Sequence, residues 1–318
     1  QLGRRARWFI SRLATESRPF LLNVFYSTTH PPFASEWPWY TRFAEPTYAG
    51  ESKFAMARLT DPFEIIRRQG APKAEFDLDQ IIDLYDGCVA QFDDEVGRLL
   101  RHVEDCGLAS HTIIVVYSDH GMEFFEHETW GQGNSVLGDH SPRVPVIIVD
   151  PRRSGRHRIR AITRTVDIAP TLLELVGQPV PPAMGGVSLA ACLAGTPPPE
   201  LVAYNESGIW FTDLPGTPTD HLRYPDLFEL LDVPDRRTGT LAVKTIYRDL
   251  IVMAKDRMVR RGRWMLTYHP LNDGVLYYLF DLENDPGCWS DVSASYPRVV
   301  AELKKQLDHW LQADGPAS

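Results

Sequence analysis

The chain is poor in cysteine, in long apolar runs and in excess positive charge, and each shortage removes a class of function. Only four cysteines occur in 318 residues, at 88, 106, 192 and 288. No two make a CxxC pair or a zinc-ribbon spacing, so a structural zinc module is excluded, while one or two disulfides stay open. No apolar run approaches the roughly 18 residues that a membrane helix needs, so no membrane segment is expected in this chain. The net charge is -9 and the pI about 5.6, which argues against nucleic acid or an anionic membrane as partner. The opening QLGRRARWFISRLATE lacks the apolar centre and the small-residue cleavage site of a signal peptide. Its first residue is Gln, as expected of a mature form or a fragment. Internal repeats and low-complexity tracts are absent.

What remains is a folded, globular composition, 43% hydrophobic and 24% charged, sufficient for one large domain or a large and a small one. PFLLNVFY (19–26) is apolar on both faces and is predicted as a buried strand ending in the loop STTHPP. Residues 31–75, rich in Pro, Trp and Phe without a period, read as a surface excursion with one short helix. Apolar residues at 81, 85, 88, 89, 92, 96, 99, 100 and 103 then mark a helix that Gly107 stops. TIIVVY (112–117) and VPVIIV (144–149) follow as strands. VDIAPTLLELVG is a helix with Asp167 as N-cap, Pro170 in its first turn and Gly177 at its end. Short apolar strands alternating with helices predict a mostly parallel sheet covered on both faces.

After about residue 195 the texture changes. GTPPPE reads as a linker between a first domain, 1–195, and a second, 196–318. KTIYRDLIVMAKDRMVRRGRWMLTYHP and VLYYLFDLEND are predicted as hairpin strands, with turns at Asp256-Arg257 and Asn272-Asp273-Gly274. YPRVVAELKKQLDHWLQ closes the chain as an amphipathic helix, giving a smaller α+β unit.

The chemistry gathers at the end of TIIVVY, in SDHGMEFFEHETWGQG. Ligands of parallel α/β sheets bind beyond the carboxyl ends of the strands. Asp119 and His120 stand at such an end, a hard oxygen beside an imidazole, and suit either a divalent cation or an ordinary capped turn. Gly121 would let the backbone turn or approach a ligand closely. His30, in STTHPP, is expected at the same sheet edge. The nearby HETWG is not H-E-x-x-H, and GQGNSV lacks the third glycine of a dinucleotide loop.

In these segments the chain resembles a sulfatase of the alkaline-phosphatase-like superfamily, from about residue 17 to 312 and over the C-terminal two-thirds or so of such a protein. The likeness runs through six segments in order: a Tyr-bearing helix leading to GL..HTIIVVYSDHG, then EH...WG.G, RVPVIIV, T.TVDIAPTLLELVG, GRWMLTYHP and LFDLENDPG. It implies an α/β fold, a three-layer α/β/α core present in part, with a smaller C-terminal α+β subdomain. It implies Asp119 and His120 as the downstream pair of metal ligands, although many members carry Asn in the second place. His30 corresponds to the histidine that contacts the sulfate or phosphate group. Gln132 stands where many sulfatases have a lysine on that group, and a neutral amide donates a hydrogen bond without bringing charge.

The family's adjacent upstream Asp pair and its C/S-x-P-x-R nucleophile motif have no counterpart here, so the chain reads as an incomplete core. The resemblance implies a divalent ion, calcium first and manganese, magnesium or zinc compatible. It further implies a small-molecule or glycan sulfate ester as substrate, no nucleic acid, and a periplasmic or other extracytoplasmic place. Two other functions stay open: a phosphodiester or phosphonate hydrolase or phospho-headgroup transferase of the same superfamily, and a non-catalytic remnant or binding domain. Asp139 and His140, in GDHSPRVP, could reach the site or be structural. Trp37, Trp39, Trp210, Phe211 and His221 are candidates for a substrate mouth, or for burial under a loop. The six arginines between 152 and 164 read as a solvated face or as an attractor of a polyanionic substrate.

Overall fold

The computed structural model describes residues 1–54, 68–210, 213 and 216–313. Packing divides the chain otherwise than the change of texture near residue 195 does. One compact unit comprises 1–116 and 147–152, the other 117–146 and 153–318.

In the first unit, helix α1 (Leu2–Leu13) buries Gly3, Ala6 and Ile10. Those residues recur at spacings of three and four, one stripe of the helix. Helix α2 (Leu78–Asp105) begins where Asp77 accepts the Gln80 amide. It ends in a Schellman turn: Leu108 N donates to Val103 O and Gly107 N to Glu104 O, with Gly107 left-handed at φ 71°. The two helices are tied by Ser11 Oγ and His102 Nε2 at 2.8 Å. Among its described residues, the excursion that follows residue 30 holds three short 3₁₀ turns, Trp39–Thr41, Glu51–Phe54 and Lys73–Glu75. Trp37 is largely exposed there.

Strands β1 (Ile114–Tyr117), β2 (Glu123–Phe124), β3 (Trp130–Gly131) and β4 (Val146–Val149) follow α2. β1 and β4 pair as a two-stranded sheet. The cover predicted for both of its faces is not formed among the described residues, since Ile147 is 57% and Val149 51% exposed. Nor is 19–26 a strand. It joins no ladder, and Leu21 is 92% and Phe25 67% exposed. An apolar run becomes a buried strand only where neighbours take its backbone groups and cover its faces.

Helix α3 (Ile168–Leu175), in the second unit, ends in the same Schellman pattern at Gly177. Asp167 does not cap it with its side chain. The buried carboxylate instead accepts from Arg164 N, Nε and Nη2 and from Val187 N. An arginine three residues back competes well for a carboxylate, because charge-assisted bonds are the stronger ones.

The second unit is built on the antiparallel sheet β10–β9–β8–β5. Its members are β5 (Val202–Glu206), β8 (Arg257–Arg261), β9 (Trp264–Leu271) and β10 (Gly274–Asp281), and a short ribbon of β6 (Leu231–Asp232) and β7 (Ala242–Val243) lies between β5 and β8 in the chain. The predicted turn at Asn272-Asp273-Gly274 joins β9 to β10. The other predicted turn is misplaced: β8 and β9 meet at Gly262-Arg263, and residues 248–254 form helix α4 (Arg248–Ala254) rather than a strand. Glycine explains the shift, since the tight link needs the positive φ of 57° that Gly262 adopts.

Alternation gives the sheet two buried faces. Val259, Leu266 and Leu279 pack under Leu303 and Leu307 of helix α5 (Pro297–Ala313). Met258, Met265 and Phe280 pack under Val136 and Cys288. Covering such side chains fully is worth about 2 kcal/mol each. The second face therefore seats the loop after β3, in which Gln132 lies.

Candidate functional site

At the end of β1 the backbone of Asp119, His120 and Gly121 is held from both sides. Ser118 Oγ donates to His120 O at 2.7 Å, and His120 N donates to Asp119 Oδ1 at 3.1 Å. The imidazole Nδ1 stands 2.8 Å from the Gly121 carbonyl, which can only accept, so Nδ1 carries a proton. In the neutral ring this leaves the Nε2 lone pair 3.7 Å from Asp119 Oδ1. Two electron-pair donors side by side repel unless a proton or a metal cation lies between them, and Asp119 is 59% exposed to receive one. The pair thus fits part of a cation's shell. Among the described residues no three metal-ligating side chains converge.

Gly121 is required for a closer reason than a ligand. A Cβ there would stand 2.1 Å from His140 O, and its N–H donates to Ser141 O at 2.7 Å. The same Ser141 accepts the Gly133 amide on its hydroxyl at 2.6 Å. Ser141 therefore joins the turn that carries His120 to the loop that carries Gln132.

That loop is clasped along its length. β2 and β3 pair with Glu123 opposite Gly131. The buried Glu123 carboxyl accepts from Thr129 Oγ1 at 2.8 Å and from Ser135 N at 3.1 Å. Burial pushes its pKa up to about 7, and those two hydrogen bonds oppose the rise. Asn134 Nδ2 donates to Trp130 O, Gly208 N to Gly133 O, and Trp210 Nε1 to Asn134 O. Gln132 is half-buried at the middle of this frame.

The other residues singled out have structural settings. Arg260 Nη1 reaches both oxygens of Asp139, at 2.6 and 2.8 Å. His140 Nδ1 lies 3.5 Å from Glu126 Oε1. The His127 ring packs on Trp289 at 4.6 Å, and burial lowers its pKa. Trp210 and His221 are buried, while Phe211 lies outside the described residues. Burial also pushes the thiols of Cys88 and Cys288 up to about 11 and 12, which leaves them poor nucleophiles. His30, in the first unit, is exposed, with Nδ1 2.8 Å from Pro31 O. A cleft of about 500 Å³ in that unit, lined by Tyr48, Glu51, Ser52 and residues 74–79, contains none of the predicted site residues. Glu123, Ser141 and Asn134 were missed by sequence reasoning. Their partners lie 4 to 76 residues away and follow no period.

Comparison with known proteins bears on what this arrangement serves. Arylsulfatase K of Bos taurus is 24% identical over 233 residues, 73% of this chain and 37% of that protein. The multifunctional alkaline phosphatase superfamily protein PehA of Trinickia caryophylli is 28% identical over 204 residues, 56% of this chain and 38% of its own. The chain thus spans about two-fifths of these curated relatives. The solved phosphonate monoester hydrolase of Agrobacterium radiobacter superposes with a TM-score of 0.65 at 25% identity, over 96% of this chain and 60% of that one. A solved protein in complex with its substrate D-glucosamine-2-N,6-O-disulfate superposes with a TM-score of 0.52 at 23% identity, over 75% of this chain and 42% of that one. These likenesses carry the alkaline-phosphatase-like α/β fold. The family model Sulfatase matches residues 2–178 of the 318, more than half, and the chain belongs to the sulfatase family.

Proposed function

We propose that the protein containing this chain hydrolyses sulfate esters with a divalent cation, and that Asp119 and His120 supply two of the cation's ligands. The observation that carries this reading is the Asp119 Oδ1 and His120 Nε2 pair, two donors 3.7 Å apart and tied through Ser141 to the loop of Gln132. Sulfatases use a divalent metal ion. Calcium is the proposed one, with manganese, magnesium and zinc compatible with a mixed oxygen and nitrogen pair. When bound, such a cation polarises an ester oxygen and lowers the pKa of an attacking group.

The chain's own residues do the rest by position. His120 turns Nε2 toward Asp119 because Nδ1 is engaged with Gly121 O, and Asp119 is fixed by the His120 amide. Gln132 donates a hydrogen bond to an anionic ester oxygen. The proposed substrate is a small-molecule or glycan sulfate, in keeping with the disulfated glucosamine named as substrate of a structural relative.

The experiment is Asp119→Ala in the full-length natural protein, read by metal content and aryl sulfate turnover. Loss of both is expected, and retention of both overturns the assignment. Gln132 favours one second reading. A neutral amide in a lysine's place departs from the pattern of many sulfatases and leaves room for a phosphodiester or phosphonate monoester, each a monoanion like a sulfate ester, and a phosphonate monoester hydrolase is among the relatives. Aryl phosphodiester assayed beside aryl sulfate separates the two. Stoichiometric metal binding without turnover of either would make the protein a binding remnant.

A further inference from the structure

Behind the Gln132 loop lies a buried polar assembly that the proposed chemistry does not use. Asp256, placed by sequence in a turn, is buried with its carboxylate between two buried histidines. His221 Nε2 lies 2.7 Å from Oδ1. His269 Nδ1 lies 3.1 Å from Oδ2, off the line of a directed hydrogen bond. His221 Nδ1 faces the Leu222 carbonyl at 2.8 Å, an oxygen that only accepts, and Nε2 shares a second proton with the carboxylate. His269 Nε2 meets Thr267 Oγ1 at 3.0 Å.

Buried ionic groups of this kind are weak sources of stability, and their best-attested use is to fix one arrangement among several. The arrangement fixed here can be followed bond by bond. Asp256 N donates to Ser207 Oγ, and Ser207 N donates back to Asp256 O. The next residue, Gly208, donates its amide to Gly133 O at 2.7 Å. Trp210 lies against the His221 ring, centroids 4.8 Å apart, and donates its indole N–H to Asn134 O at 3.2 Å. Both carbonyls that follow Gln132 are thus held by a segment that Asp256 and His221 hold in turn.

We propose that Asp256, His221 and Trp210 are positioning residues for Gln132: the buried acid and imidazole seat residues 207–210, which set the height of the loop. The inference rests on the reading of Gln132 as an oxyanion contact only for its effect on turnover. The coupling itself is a property of the fold.

The test uses the full-length natural protein, with Asp256→Asn and the milder Trp210→Phe, which keeps the ring on His221 and removes only the indole donor. Amide hydrogen exchange at 131–135 is expected to speed at least tenfold in either variant, with β9 unchanged. Unchanged exchange at 131–135, or a uniform rise across the protein in both variants, overturns the proposal. In turnover, Gln132→Ala and Trp210→Phe are each expected to lower kcat more than they change KM, and the double variant to be no slower than Gln132→Ala. Multiplying losses would show independent residues and overturn the coupling. Should Gln132→Ala alone be silent, the role given to Gln132 fails, and exchange at 131–135 decides the coupling by itself.

Discussion

The hydroxyl of Ser141 accepts the amide of Gly133 at 2.6 Å while its own carbonyl accepts the amide of Gly121 at 2.7 Å. One buried serine therefore sets the spacing between the Asp119-His120 turn and the Gln132 loop. Ser141→Ala keeps the carbonyl bond and leaves the Gly133 amide without its acceptor, which costs about 1–3 kcal/mol when the donor stays dry. Urea denaturation should show that loss. Turnover of the full-length protein should fall further than a stability change alone explains, because the two halves of the site lose their common tie. A variant as stable and as active as the parent would remove Ser141 from the account.

Glu123 makes stability depend on pH in an unusual direction. Its folded pKa, raised by burial to about 7, lies above the ordinary 4.5. Between those values the folded state binds more protons than the unfolded one, so stability falls as pH rises through that window and stays low above it. At about 1.4 kcal/mol per factor of ten in protonation, the loss is on the order of 3 kcal/mol. Glu123→Gln can still meet Thr129 and Ser135 and has no proton to lose. Unfolding curves at pH 4.5 and pH 8 should show the parent losing that much more than the variant. Equal losses would mean that the carboxyl ionises freely.

The basic loop offers a test of the glycan reading. Arg156, Arg158 and Arg160 are exposed in a chain whose net charge is -9. A local positive field on an acidic protein draws a polyanion at low salt and fades within a Debye length of about 10 Å at 0.1 M. Changing all three to Ser should leave stability within about 0.5 kcal/mol. It should also lower the salt at which the protein elutes from a polysulfated resin. Unchanged elution would make the loop a solvated face and nothing more.

What the sequence could and could not disclose follows from the range of the interactions. Helix α2 was legible because its stripe and its Gly107 stop are local. The strand end at Asp119 was legible for the same reason, and the order of six segments carried the family. The stretch 19–26 misled because an apolar run records a demand for cover without saying whether cover is present. Residues 248–254 misled because the apolar run Leu250–Ala254 suits a strand as well as a short helix whose buried side chains, Ile251 and Ala254, fall three apart. Asp256, His221 and His269 were illegible as a group: they stand 35 and 13 residues apart in the chain, and nothing local links one to another.

His120 gives the sharpest test of the proposed metal. An imidazole nitrogen is a borderline donor that suits zinc and manganese, whereas calcium takes oxygen. Many sulfatases place Asn at this position, whose amide oxygen is hard and can occupy nearly the same point as an imidazole Nδ1, though it falls short of Nε2. His120→Asn also removes the repulsion between Nε2 and Asp119 Oδ1 at 3.7 Å. The variant should therefore shift the preference from zinc toward calcium by about tenfold, on the softness order of the ligands. Competition binding in the full-length protein, read by metal content after dialysis against each ion, measures the ratio. An unchanged calcium-to-zinc ratio would mean that His120 does not reach the cation, and the pair at the end of β1 would then be an ordinary capped turn.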